Sequence, residues 1–417
     1  MRKAGRYTAA LLLVLVGAAV IADQYMGTQW TSLLVDWWPV LFVALGVEYI
    51  LYNIKYGDSD KQLKLDISGV IIAVILSAVV IGSTQSGAFI KNWSGNLNLE
   101  DAMLSFTQGD GRKFEQGTKE ISLGNGVDKV IVKNPSGNVI MKQGSSDQLQ
   151  IQSTVYVAID DEQEASRIAS QSRLDQNVQG NVLTIISEGA EYGSGFWQHR
   201  KARTDLVISL PQQVKLDVDM ETSNGKIAAD QLTFKRELKL RTTNGDIQVS
   251  SIQAEKIELR STNARIGASQ TKGSMELDTT NGMLDVKDHQ GDVKLTSTNG
   301  SLDLNQVNGS VAAKTTNGNI QIADVPSGLK ASTTNGSVKV TSRIVNGDWD
   351  IETTHGNIKL AIPATGDYTL KGEGEKDNIH SEIPMKVNKK SIEGVVGTGK
   401  NKIHLDTNGN IDIQKAE

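Results

Sequence analysis

The string Thr-Asn-Gly, with small variations, returns through the second half of the chain at a nearly constant interval, and it restricts the possible folds more than any other feature. Aligned on its asparagine it falls at Asn224, Asn244, Asn263, Asn281, Asn299, Asn317 and Asn335, with His355 in the same place, at spacings of 20, 19, 18, 18, 18, 18 and 20 residues. A fixed period of this size belongs to stacked units, each burying its apolar side chains only against its neighbours. Three residues after each anchor come Ile227, Ile247, Ile266, Leu284, Leu302, Ile320, Val338 and Ile358, and the positions five after, four before and six before are apolar as well. Alternation of period two on both sides of a turn reads as strand, turn, strand with one face buried. Asn and Gly tolerate positive φ better than other residues, so the pair predicts a tight reversal. A second glycine column, Gly273, Gly291, Gly309 and Gly347, marks another corner half a period away.

Two architectures share this local pattern. In a β-solenoid the units stack about 4.8 Å apart and Asn224, Asn244, Asn281, Asn299, Asn317 and Asn335 can form a hydrogen-bonded ladder over a continuous aliphatic core. An antiparallel β-meander or sandwich is the alternative; it would need a very large sheet for this many strands, so the solenoid is preferred. His355 and the Asn263–Ala264 pair break the tetrad and predict an irregular coil. Regular repeats cover 216–362, an N-terminal part of the β domain 117–215, and C-terminal repeats with a cap 363–417, where Asn401–Ile413 restores the pattern. The segment 160–174 predicts a helix before a strand at 181–187.

The first hundred residues answer to a different solvent, for 12 of the 20 Phe, Trp and Tyr residues precede position 107. Apolar runs at 7–22, 33–52 and 67–82 predict three membrane-spanning helices in an α-helical module at 1–85, followed by a polar juxtamembrane linker at 86–116. Arg2, Lys3 and Arg6 before the first run, and Lys55, Lys61 and Lys64 between the second and third, predict a cytoplasmic N-terminus and an extracytoplasmic chain after about residue 83. A signal peptide cleaved after Ala22 is the alternative and leaves the β domain on the same side. Asp36 and Glu48 sit in or near the second span, where an ionisable group is a functional candidate, although interfacial placement and helix capping by Asp36 explain them too.

Little in the sequence carries catalytic chemistry. With no cysteine there is no disulfide, thiolate metal site or cysteine nucleophile, and a net charge of −5 gives no pull toward nucleic acid. The five histidines lack ligand spacing, so no metal or cofactor is expected. Outward-facing columns mix signs, which predicts ion pairs between neighbouring coils. Asp285 over Asp303 could hold a cation or serve acid/base work, but Lys287 and the lack of a third acid favour a chance pairing. The regular repeats contribute only Phe234 and Trp349 as aromatics, too few for a sugar-stacking platform. One stretch departs from the pattern: 191–203 gathers Tyr192, Phe196, Trp197, His199, Arg200, Lys201 and Arg203, aromatics beside cations that suit a protein partner, an anionic polymer or a lipid surface. The competing reading folds these aromatics back onto the strands or the helix near 165.

Two resemblances follow from these segments. The Trp-Pro-containing run 37–47 in a short multi-span module resembles the membrane region shared by the LiaI and LiaF envelope-stress proteins of Gram-positive bacteria. The repeat, with 129–141 and 205–219 before it, resembles the bacterial "putative adhesin" β-repeat family related to the toastrack domain. Together they imply a non-enzymatic membrane protein for envelope-stress sensing or signalling, with the bilayer, envelope-stress membrane proteins, a sensor kinase or cell-wall polymer as partners. The alternative is a surface adhesin or wall-binding scaffold that transmits no signal.

Overall fold

The computed structural model describes residues 3–4, 64–65 and 111–416, apart from 125, 194–199, 213–214, 326 and 376–377. The chain divides into two compact units, Met1–Asn98 and Leu99–Glu417. In the first, Lys3–Ala4 pairs in parallel with Lys64–Leu65; the three apolar runs, Asp36 and Glu48 lie outside the described residues. Among the described residues no helix is long and apolar enough to cross a membrane.

The second unit is a parallel β-solenoid. Strands that end at the repeat asparagine stack in one sheet, so that Leu277 lies against Leu295 and Asn281, Asn299, Asn317 and Asn335 stand in unbroken register. Strands that follow the corner stack in a second sheet, where Leu284, Leu302, Ile320, Val338 and Ile358 are successive partners. This parallel pairing overturns the antiparallel meander for the repeats. Side chains of period two from both sheets meet inside: Leu284, Leu295, Leu304, Ile320, Val338 and Ile358 are all buried to within 1% of full coverage. Each contributes roughly 1.5–3 kcal/mol by leaving water, and because every coil repeats the set, the core runs the length of the stack. The 19-residue coil is absorbed by a register shift between Gln253 and Lys256 rather than by a loop.

The corners work differently from the sequence-based expectation. The repeat Asn-Gly pairs do not occupy positive φ; apart from Gly137 in the first coil, the left-handed residues lie elsewhere. Glycine is needed because a Cβ at Gly225, Gly245, Gly300, Gly318, Gly336 or Gly356 would collide with the carbonyl oxygen of the glycine one coil earlier. Positive φ belongs to the opposite corner, where Gln231, Ser251, Gln270, Asp288, Gln306 and Asp324 all adopt values between 52° and 56°. These non-glycine residues hold a conformation that costs roughly 1–2 kcal/mol each, kept because both flanking strands are fixed by the stack.

Two side-chain ladders run along the Asn-Gly corner. The exposed asparagine amides donate from each coil to the preceding one, from Asn335 to Asn317, Asn299, Asn281, Asn263, Asn244 and finally Asn224, at 2.8–2.9 Å. Two residues earlier, buried hydroxyls do the same for the backbone: Thr315 Oγ1 donates to Gly300 O at 2.9 Å, Thr333 to Gly318 at 3.0 Å and Thr353 to Gly336 at 2.7 Å. The carbonyls that crowd out a Cβ are therefore paired, as burial requires. The irregularity expected at Asn263–Ala264 is confined to the backbone: the strand stops at Ser261, and the Asn263 amide nitrogen donates to Thr243 O, while its side chain stays in the ladder. At His355 the asparagine ladder ends.

Both ends of the stack are closed by antiparallel pairs. At the N-terminal end Arg112–Ile121, Leu149–Val157 and Arg203–Leu210 extend one sheet, and Arg173–Gln179 with Val182–Glu188 extends the other. The first of these strands begins inside the segment expected to be linker, because Phe114 packs against the helix cluster and draws the chain into the sheet. The expected helix is present at Glu162–Gln171, capped by Asp161, whose carboxylate accepts from Glu164 N at 2.7 Å. It buries Ala165, Ile168 and Ala169 against Val155 and Val157. At the C-terminal end Thr407 Oγ1 donates to Gly356 O at 2.8 Å, so the last Thr-Asn-Gly forms a further coil, and Ser391–Val396 closes the sheet antiparallel to Tyr368–Glu373.

A buried imidazole interrupts the aliphatic interior. His289 is 1% exposed and its Nδ1 lies 2.8 Å from Thr271 Oγ1 one coil earlier. Burial holds its pKa below the usual 6.5, outweighing backbone contacts that act the other way. Above pH 6.5 the imidazole is neutral folded or unfolded and has no effect on the pH dependence; below it the unfolded chain takes up a proton that the folded state resists, so stability falls. Urea midpoints of the wild type should therefore drop as pH falls below 6.5, and the Thr271→Val/His289→Val double variant should lose that part of the slope. An identical slope in both proteins would show that His289 is protonated without penalty.

Candidate binding site at the N-terminal end of the solenoid

Along the outer faces several charges pair between neighbouring coils. Lys294 meets Glu276 at 2.9 Å, Lys330 meets Asp350 at 2.8 Å and Arg241 meets Asp219 at 2.9 Å, each across adjacent coils. Glu258 is 3% exposed; burial would raise its pKa, but hydrogen bonds from Lys239 and Lys256 and the charge of Arg260 together hold it low. Asp285 and Asp303 are register partners, as the period requires. Asp285 is bound by Arg265 Nη2, while burial first, and Asp285 second, push Asp303 up. Among the described residues no three His, Asp or Glu side chains converge as a metal site would need.

The stretch 191–203 forms a short hairpin, Glu191–Tyr192 paired antiparallel to Arg200–Lys201, with Phe196, Trp197 and His199 outside the described residues. Its described members split by role. Tyr192 packs against the helix cluster and its hydroxyl accepts from Ala158 N at 3.2 Å, so it is a structural tie of the kind the competing reading expects. Arg203 is structural too: Nε and Nη2 each donate to the Asp205 carboxylate at 2.8 Å, and the guanidinium stacks 5.2 Å from the Tyr156 ring centre. Burial pushes the Asp205 carboxyl up against the opposing pull of Arg203. Lys201 pairs with Glu191 at 3.0 Å, and Arg200 is exposed.

At the base of this hairpin lies a cavity of about 420 Å³, bounded by the first corner of the solenoid (Asn134, Pro135, Ser136), the end of the Val182–Glu188 strand, Arg173, and Lys201–Ala202. It is within the roughly 300–1,000 Å³ usual for small-ligand sites. The cavity arises where stacking stops. Every later corner sits on the corner before it, whereas the first one sits on two chain segments, Gly189–Glu191 and Lys201–Thr204, that do not repeat its shape. Asn134, in register with Thr222 of the hydroxyl column, reaches across and donates from Nδ2 to Thr204 O at 2.9 Å. Asn134, Ser187 and Thr204 were not singled out from sequence; the available signal was that Asn134 stands in a column otherwise held by Ser and Thr.

A family model described as Toastrack DUF4097 matches residues 146–323 and 310–414. No curated protein matches the chain. Among solved structures, a "putative adhesin" from Parabacteroides distasonis is 14% identical with a TM-score of 0.34, covering 73% of this chain and 98% of its own. A "putative adhesin" from Bacteroides fragilis is 12% identical with a TM-score of 0.29, covering 73% and 97%. A "putative lipid binding protein" from Parabacteroides distasonis is 12% identical with a TM-score of 0.27, covering 74% and 98%. With matched segments that run over well more than half of the sequence, the chain belongs to the Toastrack DUF4097 family.

Proposed function

We propose that this chain is a non-enzymatic binding protein of the cell envelope, anchored by its N-terminal apolar runs, with the solenoid outside the membrane. The observation that carries the binding role is the 420 Å³ cavity beside the 191–203 hairpin, at the end of the stack where the chain enters the β domain. A stack held by continuous parallel sheets offers a fixed frame for that end. In this reading the solenoid senses an envelope ligand or partner, and the membrane module, through Asp36 and Glu48 of the second run, passes the state to a sensor kinase or another envelope-stress membrane protein.

In-cell crosslinking from Arg200 and from the second apolar run, with captured partners identified by mass spectrometry, tests this reading. Recovery of a membrane signalling protein from both positions is the expected result. Replacing residues 1–85 by an unrelated membrane anchor should then abolish the envelope-stress response. A response that survives the replacement, with only wall polymer captured, would establish the adhesin or scaffold role instead.

A further inference from the structure

We infer that Asn346 is a site of spontaneous covalent modification, where the Gly347 backbone nitrogen attacks the Asn346 side chain and converts it to aspartate or isoaspartate, while the stack shields the same dipeptide at the Thr-Asn-Gly corners. The site is independent of the binding role proposed above. In an Asn-Gly pair no side chain on the glycine hinders the approach of its nitrogen to the asparagine Cγ. That nitrogen gives up its proton and bonds to Cγ, the Cγ–Nδ2 bond breaks, and the side-chain nitrogen leaves with the proton as ammonia. Water then opens the resulting succinimide at either carbonyl, giving aspartate or isoaspartate, so a water is taken up for each ammonia released. A hydrogen bond that holds the glycine N–H, or one that holds the asparagine side chain, opposes the attack and must open first.

At the repeat corners both restraints are present. Gly282 N donates to Asn299 O at 3.2 Å and Gly318 N to Asn335 O at 3.0 Å. The Asn281 and Asn317 side chains each donate to one neighbouring coil and accept from the other within the amide ladder. Asn346–Gly347 lies outside this arrangement. The coil from Asn335 to His355 is longer than those before it, and the extra residues fall in 342–348, between the strands Val338–Thr341 and Trp349–His355. Asn346 is exposed, and among the described residues neither its side chain nor the Gly347 N–H has a hydrogen-bond partner. On either side the chain is pinned: Val345 O accepts from Asn401 Nδ2 at 2.9 Å and Asp348 O from Leu329 N at 3.0 Å. Asn308–Gly309, a pair at the same corner of an earlier coil, instead closes a strand, and Asn308 O accepts from Gly291 N at 3.0 Å. Conversion at Asn346 adds a negative charge, and isoaspartate lengthens the backbone between the two pinned carbonyls, beside Trp349.

The test incubates the full-length protein in detergent micelles at mildly alkaline pH, which favours loss of the glycine amide proton. Peptide mass spectrometry reads amide-to-acid conversion at each asparagine, and an isoaspartyl methyltransferase assay reads isoaspartate. In the folded protein Asn346 should convert at least about tenfold faster than Asn281, Asn299 or Asn317, because a stacked corner must open before it reacts. In concentrated urea the difference should collapse, since every Asn-Gly pair is then released from the stack. The Asn346→Gln variant should lose the fast conversion and keep the wild-type urea midpoint. Equal rates at Asn346 and the corner asparagines of the folded protein would overturn the shielding. Conversion of Asn346 in urea with none in the folded protein, or fast isoaspartate formation that survives Asn346→Gln, would overturn the site itself.

Discussion

Replacing Gly300 by alanine should lower the stability of the solenoid by at least about 2 kcal/mol, whereas the same change at Gly267 should raise it by roughly 0.5–1 kcal/mol. A Cβ at position 300 would stand well inside 3.0 Å of two backbone atoms, the Gly282 carbonyl carbon and oxygen. Its neighbours are backbone atoms held by coils on either side, so no rotamer change relieves the contact. At Gly267, on the outer face of a strand, a Cβ would meet only Gln248 Nε2 at 3.9 Å, and the gain is the usual one for removing glycine from a strand. The chain contains its own demonstration at Ala264, where an alanine at this corner is accommodated only because the strand ends early and the backbone bonds are re-routed. Urea unfolding of the two variants beside the wild type decides the matter. Similar midpoints would mean that the corner relaxes freely and that close approach is not why glycine stands there.

The second large effect is expected at Trp349, the largest fully buried side chain among the described residues. It occupies a column held elsewhere by aliphatic residues such as Leu329 and Ile403, in a coil two residues longer than the ones before it. Its Nε1 donates to Ser327 O at 2.8 Å. Trp349→Ala should cost about 3–5 kcal/mol through the cavity it leaves. Trp349→Phe should cost less, retaining most of the volume but leaving the Ser327 carbonyl without that donor. Thermal unfolding followed by near-ultraviolet circular dichroism measures both. An alanine variant no worse than the phenylalanine one would show that the longer coil closes over the gap, and the packing argument would fail.

How far the sequence reveals this fold depends on whether a feature repeats. The inward columns were legible because Leu277, Leu295 and their equivalents recur at a period that only a buried strand explains, and the asparagine ladder followed from that register. The reason for glycine was misread: Asn-Gly is a familiar positive-φ pair, and nothing local distinguishes it from a glycine excluded by another coil. Half of the left-handed corner residues were invisible, since Gln231, Gln270 and Gln306 carry no turn signature; the flanking strands impose their conformation. The hairpin 191–203 shows the limit most plainly. A run of aromatics and cations looks like an interaction site, yet Tyr192 and Arg203 are spent on Ala158, Asp205 and Tyr156, residues distant in sequence or unremarkable in it. The cavity could not be read at all, because it forms where the repeat stops.

The 18-residue register also makes length a separate variable from stability or surface chemistry. Since Asn281, Asn299, Asn317 and Asn335 superpose coil on coil, duplicating or losing one whole unit joins surfaces that already match and shifts the far end by about 4.8 Å. The gene can change the protein's reach in fixed increments, like links in a measuring chain. The two capped ends and whatever they contact are left untouched.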